Sequence, residues 1–132
     1  MNLKKFIVEM GMGIDQHGQD PTRAAQKAVK NAMTSNCLIG LLEVARLADL
    51  NDMVVDVLIA CPYPERVNPA EVLEAVPFGR KHLKVVAGGM ITRCLHRAEL
   101  GDTSDETYVA NAAITVSVDM DRVLAAWQKD LS

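Results

Sequence analysis

Residues 6–21 read Phe-Ile-Val-Glu-Met-Gly-Met-Gly-Ile-Asp-Gln-His-Gly-Gln-Asp-Pro. The apolar beginning of this stretch predicts a largely buried strand over residues 4–10. Asp20 followed by Pro21 predicts a helix start, because Asp accepts free backbone N–H groups and proline fits the first helical position. Between strand and helix, residues 11–18 combine three glycines with a carboxylate and an imidazole. We therefore predict a glycine-rich loop that forms a functional site.

Composition is typical of a globular protein and argues against several partners. The 132 residues carry a net charge of −3, and 49% of them are hydrophobic. A chain of this length can form one domain, residues 1–132, with a core of its own. The acidic balance argues against nucleic acid, and no apolar run reaches the length of a membrane span. We therefore expect neither a nucleic-acid nor a membrane partner.

Cysteine and methionine usage suggests where the protein works and how it assembles. The three cysteines lack the spacing of a disulfide framework, and the first residues do not resemble a signal peptide. We therefore expect reduced thiols and a cytoplasmic protein. Seven methionines and many alanines suit closely packed subunit contacts, which favours a homo-oligomer.

The rest of the chain alternates between helix and strand patterns. Small residues at helical spacing predict a helix from Pro21 to near Ser35, and strict alternation over 53–59 predicts the clearest strand. Further patterns predict a helix at 69–76, strands at 83–90 and 108–118, a helix after Asp119, and a polar loop at 92–107, while 41–47 fits a strand or a helical turn. The predicted fold class is α+β, a single mixed β-sheet with helices packed on it.

A nucleotide site and a metal site are two possible chemistries for the loop. A phosphate-binding loop needs Lys and then Ser or Thr where Gln19 and Asp20 stand, so we reject it. A metal site is compatible with the sequence, because Asp15 and His17 are two residues apart and point to one face of an extended segment. In this interpretation the pair binds a divalent metal such as zinc. The third ligand would come from Glu9, Cys61, His82, His96 or Asp102.

Two metal-free alternatives stay open beside the metal site. In the first, Asp15 and His17 form a catalytic acid–base pair in which Asp15 orients His17 for proton transfer. In the second, the helix start at Pro21 binds a small carboxylate or phosphate, although Asp15 and Asp20 oppose an anion by charge. A self-hydrogen-bonded turn without any ligand is the structural alternative.

Glycines and one amide complete the predicted site. Gly88 and Gly89 end a predicted strand, where they allow close backbone approach to a ligand or make a bulge. Asn111 lies in a strand of apolar residues, so we predict a buried amide that braces the glycine loop or another backbone segment. The acidic run from Asp102 to Glu106 is expected to be a solvated loop. The predicted ligand-binding residues are Gly11, Gly13, Gly18, Gly88, Gly89 and Asn111.

The loop resembles the motif Gly-x-Gly-x-Asp-x-His-Gly of a family of small, functionally uncharacterised bacterial and plant proteins. Its fixed positions are matched by Gly11, Gly13, Asp15, His17 and Gly18. The resemblance extends over most of the chain and implies a mixed-sheet α+β domain, similar to the C-terminal domain of tubulin-like proteins. A local similarity over residues 13–17 is to methylerythritol cyclodiphosphate synthase, in which the Asp and His of Gly-x-Asp-x-His bind zinc. It favours the metal site.

These patterns predict a small-molecule-binding protein with its site at residues 11–18. With a metal bound, its chemistry is that of a hydrolase or lyase, because metal-bound water becomes a nucleophile near neutral pH. The alternative is a non-catalytic module that binds a metabolite or assembles an oligomer. An enzyme requires Asp15 and His17 to converge with a third polar group in an open cleft. A structural turn requires both side chains to be buried and paired with the backbone.

Overall fold

One mixed sheet organises the molecule. The computed structural model describes all 132 residues. Five strands form the sheet: β1 (Leu3–Asp15), β2 (Val54–Cys61), β3 (Arg80–Ala87), β4 (Met90–Arg93) and β5 (Glu106–Asp119). Their spatial order is β1-β5-β2-β3, with β4 also paired to β5. β5 is antiparallel to β1, β2 and β4, whereas β2 and β3 are parallel. The predicted α+β class with a single mixed sheet is confirmed.

Helices pack on one face of this sheet. They are α1 (Pro21–Thr34), α2 (Gly40–Glu43), α3 (Pro69–Leu73) and α4 (Met120–Leu131). Each contributes buried residues to one hydrophobic core together with the inward residues of β2 and β5. Asp20, Asn68 and Asp119 accept backbone N–H groups at the starts of α1, α3 and α4, which confirms the predicted helix starts. None of the helices combines the length and apolar character that crossing a bilayer would require.

β1 extends through the predicted glycine loop. Residues 11–15 pair one by one with β5, so the prediction of a loop from Gly11 is wrong, and only residues 16–20 connect β1 to α1. The physical reason is packing. A Cβ atom on Gly11 or Gly13 would come closer than 3.0 Å to the backbone of α1. The glycines therefore let the helix lie directly on the strand, a role different from the predicted contact with a ligand. The predicted polar loop at 92–107 likewise includes paired residues of β4 and β5 at its two ends.

The helix supplies small residues to the same contact. Ala24, Ala28 and Ala32 are fully buried where α1 crosses β1. Small side chains at helical spacing allow a close helix-to-strand distance. This contact fixes the start of α1 against the end of β1, so it fixes the position of the connecting turn.

The opposite face of the sheet carries no helix. Val8, Met10, Met12 and Leu58 point outward and are 42% to 73% exposed. Asn111 lies among them, paired in register with Met12, and is also exposed. The prediction of a buried Asn111 amide is therefore wrong, because β5 places this residue on the open face.

Candidate functional site

The turn between β1 and α1 has two residues in the left-handed backbone region. Gly18 has a φ of 90° and Gln19 a φ of 46°. No atom lies within 4 Å of a Cβ placed on Gly18, so the backbone angle, and not a lack of space, favours glycine there. The turn carries His17 to the side of α1, at the edge of the sheet where β1 ends and β5 begins.

Asp15 is a buried structural carboxylate at the end of β1. Its Oδ2 accepts the Asp20 N–H at 2.9 Å. Its Oδ1 lies 3.7 Å from Lys27 Nζ, which donates to the Ile14 carbonyl at 2.9 Å. Asp15 therefore stabilises the turn, as the structural alternative required of it. It does not orient His17, as the acid–base alternative required.

His17 instead pairs with Asp102, 85 residues later in the chain. Its Nδ1 lies 3.0 Å from Asp102 Oδ2 and 3.2 Å from Oδ1. The Asp102 carboxylate is buried, and it also accepts the Arg97 N–H, the Gly18 N–H and the Gln19 side-chain amide. The prediction of a solvated loop is wrong at Asp102, because this side chain joins the segment before β5 to the turn after β1.

These hydrogen bonds determine the tautomer of His17. The Arg97 N–H, together with the bonds from His17, Gly18 and Gln19, holds the pKa of Asp102 well below its usual range. Ionised Asp102 can only accept hydrogen bonds, so His17 Nδ1 carries the proton that it donates. In its neutral form the ring presents a lone pair on Nε2, and Nε2 has no hydrogen-bond partner within the protein.

Gln19 forms hydrogen bonds with the same segment, a role that the sequence does not predict. Its Nε2 donates to the Glu106 carbonyl at 2.9 Å, and its Oε1 accepts the Thr103 N–H at 2.9 Å. Its backbone carbonyl accepts a hydrogen bond from the Arg66 guanidinium at 2.9 Å. Local sequence gives no signal for this role, because the side-chain partners are 84 and 87 residues away.

Two other titratable groups near this edge have raised pKa values. The negative charge of Glu106 raises the pKa of Tyr63. Burial, with a smaller effect of Asp20, raises the pKa of Cys61 to about 11. The Cys61 thiol also donates to the Pro21 carbonyl at 3.6 Å. A free thiol with this pKa stays protonated at neutral pH, so Cys61 offers no thiolate nucleophile.

A polar cleft of about 450 Å³ opens beside His17. The His17 side chain is 35% exposed there. Arg23 projects from the first turn of α1 and makes no ion pair, whereas Lys27 is shared between Asp15 and the backbone. The lining residues are Ile14, Asp15, Gln16, His17, Arg23, Lys27 and Leu100. An imidazole beside two cations suits a small anion and a proton transfer.

The structure does not supply the third ligand that the metal hypothesis requires. No group of three or more His, Cys, Asp and Glu side chains is arranged to hold a metal ion. His82 is exposed on the open face, and His96 Nε2 lies 3.2 Å from the Asp102 carbonyl. Asp15 and His17 line one cleft but have separate partners. The side-chain arrangement therefore gives the zinc hypothesis no support.

The other predicted ligand-binding residues lie outside this cleft. Gly88 and Gly89 connect β3 to β4; a Cβ on Gly88 would lie 2.9 Å from the Ala60 Cβ, and Gly89 has a φ of 67°. Asn111 lies on the open face. Of the predicted glycines, Gly18 alone is in the turn that carries His17. Packing and turn geometry account for the rest.

A protein-family model matches most of the chain. The family model described as "Conserved hypothetical protein (Lin0512_fam)" matches residues 5–116. The chain belongs to this family. The matched region of this Lin0512 family member runs from β1 into β5 and includes His17 and Asp102, whereas α4 lies beyond it.

A solved structure has the same fold. It is the crystal structure of an FtsZ-like protein of unknown function from Nostoc punctiforme, with 52% sequence identity and a TM-score of 0.82. The match covers 90% of this chain and 98% of that chain. Comparison with functionally curated proteins gives no match. The comparisons therefore show the family and the fold of this chain, and they do not show a reaction.

Proposed function

We propose that this Lin0512 family protein binds a small anionic metabolite in the cleft beside His17 and exchanges a proton with it through His17 Nε2. The observation that carries the proposal is the hydrogen bond of 3.0 Å between His17 Nδ1 and the buried Asp102 carboxylate. A histidine held through Nδ1 by a carboxylate keeps one ring orientation, and its Nε2 stays available as a general acid or base.

Two cations support an anionic ligand. Arg23 and Lys27 are four residues apart on α1, so they lie on one side of the helix, and both line the cleft. Asp15 is compensated by Lys27, which leaves Arg23 as the cation without an ion-pair partner. A guanidinium binds a carboxylate or phosphate through two parallel hydrogen bonds.

A purely structural role is the competing explanation for the His17 and Asp102 pair. Asp102 accepts three further hydrogen bonds that join two segments of backbone. Such a joint uses His17 Nδ1 alone. A functional role also uses Nε2, which faces no protein partner. An experiment that tests the role of Nε2 therefore distinguishes the two explanations.

Titration with inorganic phosphate, monitored by heteronuclear NMR, tests whether the ligand is an anion. We expect the largest shifts at the His17 imidazole and at residues 16–23. Arg23→Gln should weaken phosphate binding about tenfold, the size of one lost charge-assisted hydrogen bond. Lys84→Gln is the matched control, because it removes the same charge from the open face. Equal losses in both variants, or shifts spread over the whole surface, would contradict the proposal.

His17→Asn tests the proton transfer. The Asn amide keeps a donor near the position of Nδ1 but has no group in place of Nε2. We expect wild-type protein to catalyse the exchange of a carbon-bound hydrogen for deuterium in at least one small carboxylate or phosphate metabolite. His17→Asn should abolish this exchange while its thermal stability stays close to wild type. Exchange that persists in His17→Asn would remove His17 from the mechanism. Absence of exchange in wild type would leave a binding module.

Assembly into a homo-oligomer is the second candidate function, and the open face of the sheet favours it. Met10 and Leu58 both pair in register with Ala113, so their exposed side chains are neighbours across β5. Contiguous exposed apolar surface marks interaction sites. We propose that a second copy of this chain covers it. Met10→Lys should then shift sedimentation towards the monomer, whereas Leu95→Lys, at an exposed apolar residue elsewhere, should not.

Two broader inferences accompany these proposals. The likeness to the FtsZ-like protein supports a fold similar to the C-terminal domain of tubulin-like proteins. Cys37, Cys61 and Cys94 are free thiols, which supports a cytoplasmic protein, because paired cysteines are typical of oxidising compartments.

A further inference from the structure

A second cavity lies on the helix-covered side of the sheet. Its volume is about 360 Å³, within the range of small-molecule sites. It is bounded by the segment 33–42, the beginning of β2, the turn at 76–78 and the end of β5. Of its 15 lining residues, 13 are hydrophobic. It shares no lining residue with the His17 cleft, so a ligand in this cavity is independent of the function proposed for that cleft.

Glu9 of β1 lies in the wall of this cavity. The residue is 3% exposed, and its Oε1 has no hydrogen-bond partner. The cavity lining contains no Lys, Arg or His. Burial raises the pKa of Glu9, and the Asn36 side-chain amide opposes this rise. A buried carboxyl group with an unpaired oxygen is unfavourable unless another molecule supplies a donor.

The fold itself does not require a carboxyl group at this position. Inward neighbours of Glu9 on β1 are Ile7, which packs on the core, and Gly11, which contacts α1. An apolar side chain at residue 9 would complete the same wall without the cost of burying a polar group. A polar residue that breaks the local packing rule in a concave, apolar site indicates a function.

We propose that this cavity binds a small apolar molecule that carries one ammonium group, with the ammonium paired to the Glu9 carboxylate. The apolar part then contacts buried residues such as Leu41, Val55 and Val76. Charge selects this class of ligand. A fatty carboxylate would bring a second negative charge to a wall without cations. An alcohol would leave the carboxylate without a counter-charge.

The exposed rim of the cavity matches such a ligand. Ile39, Leu42 and Phe78 line it and are large apolar residues that remain open to solvent. Octylammonium is a suitable probe, because its nine non-hydrogen atoms need roughly 270 Å³ if each takes the liquid volume of one water. Octanol and octanoate have the same chain and differ in charge.

Calorimetric titration with the three probes, beside methyl NMR of Val55 and Val76, tests the proposal. We expect octylammonium to bind and to shift these methyl signals. Glu9→Gln should weaken octylammonium at least about tenfold and should not weaken octanol. Glu43→Gln, an exposed glutamate of α2 outside the cavity wall, should leave all three affinities unchanged. Circular dichroism shows whether each variant is folded.

Three results would overturn the proposal. One is octanol or octanoate binding to wild-type protein as tightly as octylammonium. Another is unchanged octylammonium affinity in a folded Glu9→Gln variant. The third is no shift at Val55 and Val76 at millimolar octylammonium, as expected if another part of a protein assembly fills the cavity.

Discussion

Asp102 and Glu9 are both buried carboxyl groups, and they lie in opposite environments. Asp102 accepts hydrogen bonds from four groups, and these bonds, that of the Arg97 N–H above all, lower its pKa. Glu9 lies in an apolar wall with one oxygen unpaired, and burial raises its pKa. Burial alone therefore does not determine the charge of a carboxyl group. The number of donors that reach it does.

The contact between β1 and α1 lies between the two environments. Glu9 precedes Gly11 and Gly13 on β1, and the turn that carries His17 comes after them. Because α1 rests directly on the two glycines, the apolar cavity and the polar cleft are held at opposite ends of the same contact.

Gly13→Val should break both environments and have the largest effect. A side chain at residue 13 would meet the backbone of α1 at Ala24 and Ala28, so the helix must move. We expect a loss of about 3 kcal/mol in the free energy of unfolding, at the upper end of overpacking costs, measured by urea denaturation. NMR signals of His17 and of Val55 should shift together.

Met12→Val is the matched control for this change. Met12 is the neighbouring residue of β1 and points to the open face. We expect little loss of stability from it. If Gly13→Val were as stable as Met12→Val, the close contact between α1 and β1 would not hold the two environments in place.

Asp102→Asn should disturb the polar environment alone and have an intermediate effect. The folded-state pKa of Asp102 lies below its ordinary value of 3.8. Its contribution to stability is therefore present above pH 3.8 and is lost as the pH falls towards the folded-state pKa. Thermal denaturation should show a lower melting temperature for Asp102→Asn near neutral pH and a smaller difference from wild type in acid.

Asp105→Asn provides the comparison for Asp102. Asp105 is in the same segment and forms a partly exposed ion pair with Arg93 at 2.6 Å. Exposed pairs contribute little, so its melting temperature should stay near wild type. An equal drop in melting temperature in both variants would mean that the Asp102 hydrogen bonds stabilise the protein no more than an exposed ion pair does.

Glu9→Gln should change the apolar environment alone and have the smallest effect, a gain in stability. The folded-state pKa of Glu9 is raised above its ordinary value of 4.5. Its contribution is favourable below pH 4.5 and is lost as the pH rises through the folded-state pKa. Glu9→Gln, which does not titrate, should be more stable than wild type by about 1 kcal/mol above neutral pH. A variant that is less stable there would contradict an unpaired carboxylate.

Most of the secondary structure was predictable because its signals are local. Asp20, Asn68 and Asp119 accept N–H groups two or three residues later, so a short segment contains the whole helix start. The alternation at residues 53–59 reflects the two faces of one strand. The prediction of a loop from Gly11 is wrong because glycines such as Gly11 and Gly13 are also typical of loops. Their role depends on α1, which comes later in the chain and folds back onto them.

The candidate site was predictable only in part. The density of chemical groups in residues 15–18 predicts its location near the end of β1 and singles out His17. The partner of His17 is not evident from the sequence, because Asp102 lies in a polar segment that resembles a solvated loop. The sequence indicates Glu9 only as a candidate metal ligand, since a carboxyl group in an apolar stretch gives no indication of a cavity around it.

Local pattern thus predicts most of the strands, the helix starts and the histidine of the candidate site, because periodicity and capping are properties of a few adjacent residues. The contacts of the ionisable groups depend on the fold as a whole. The pairing of β1 with β5 brings residues 17 and 102 together, and the docking of α1 on Gly11 and Gly13 encloses Glu9 among side chains from distant segments. A charge state set by donors from across the sheet is a tertiary property.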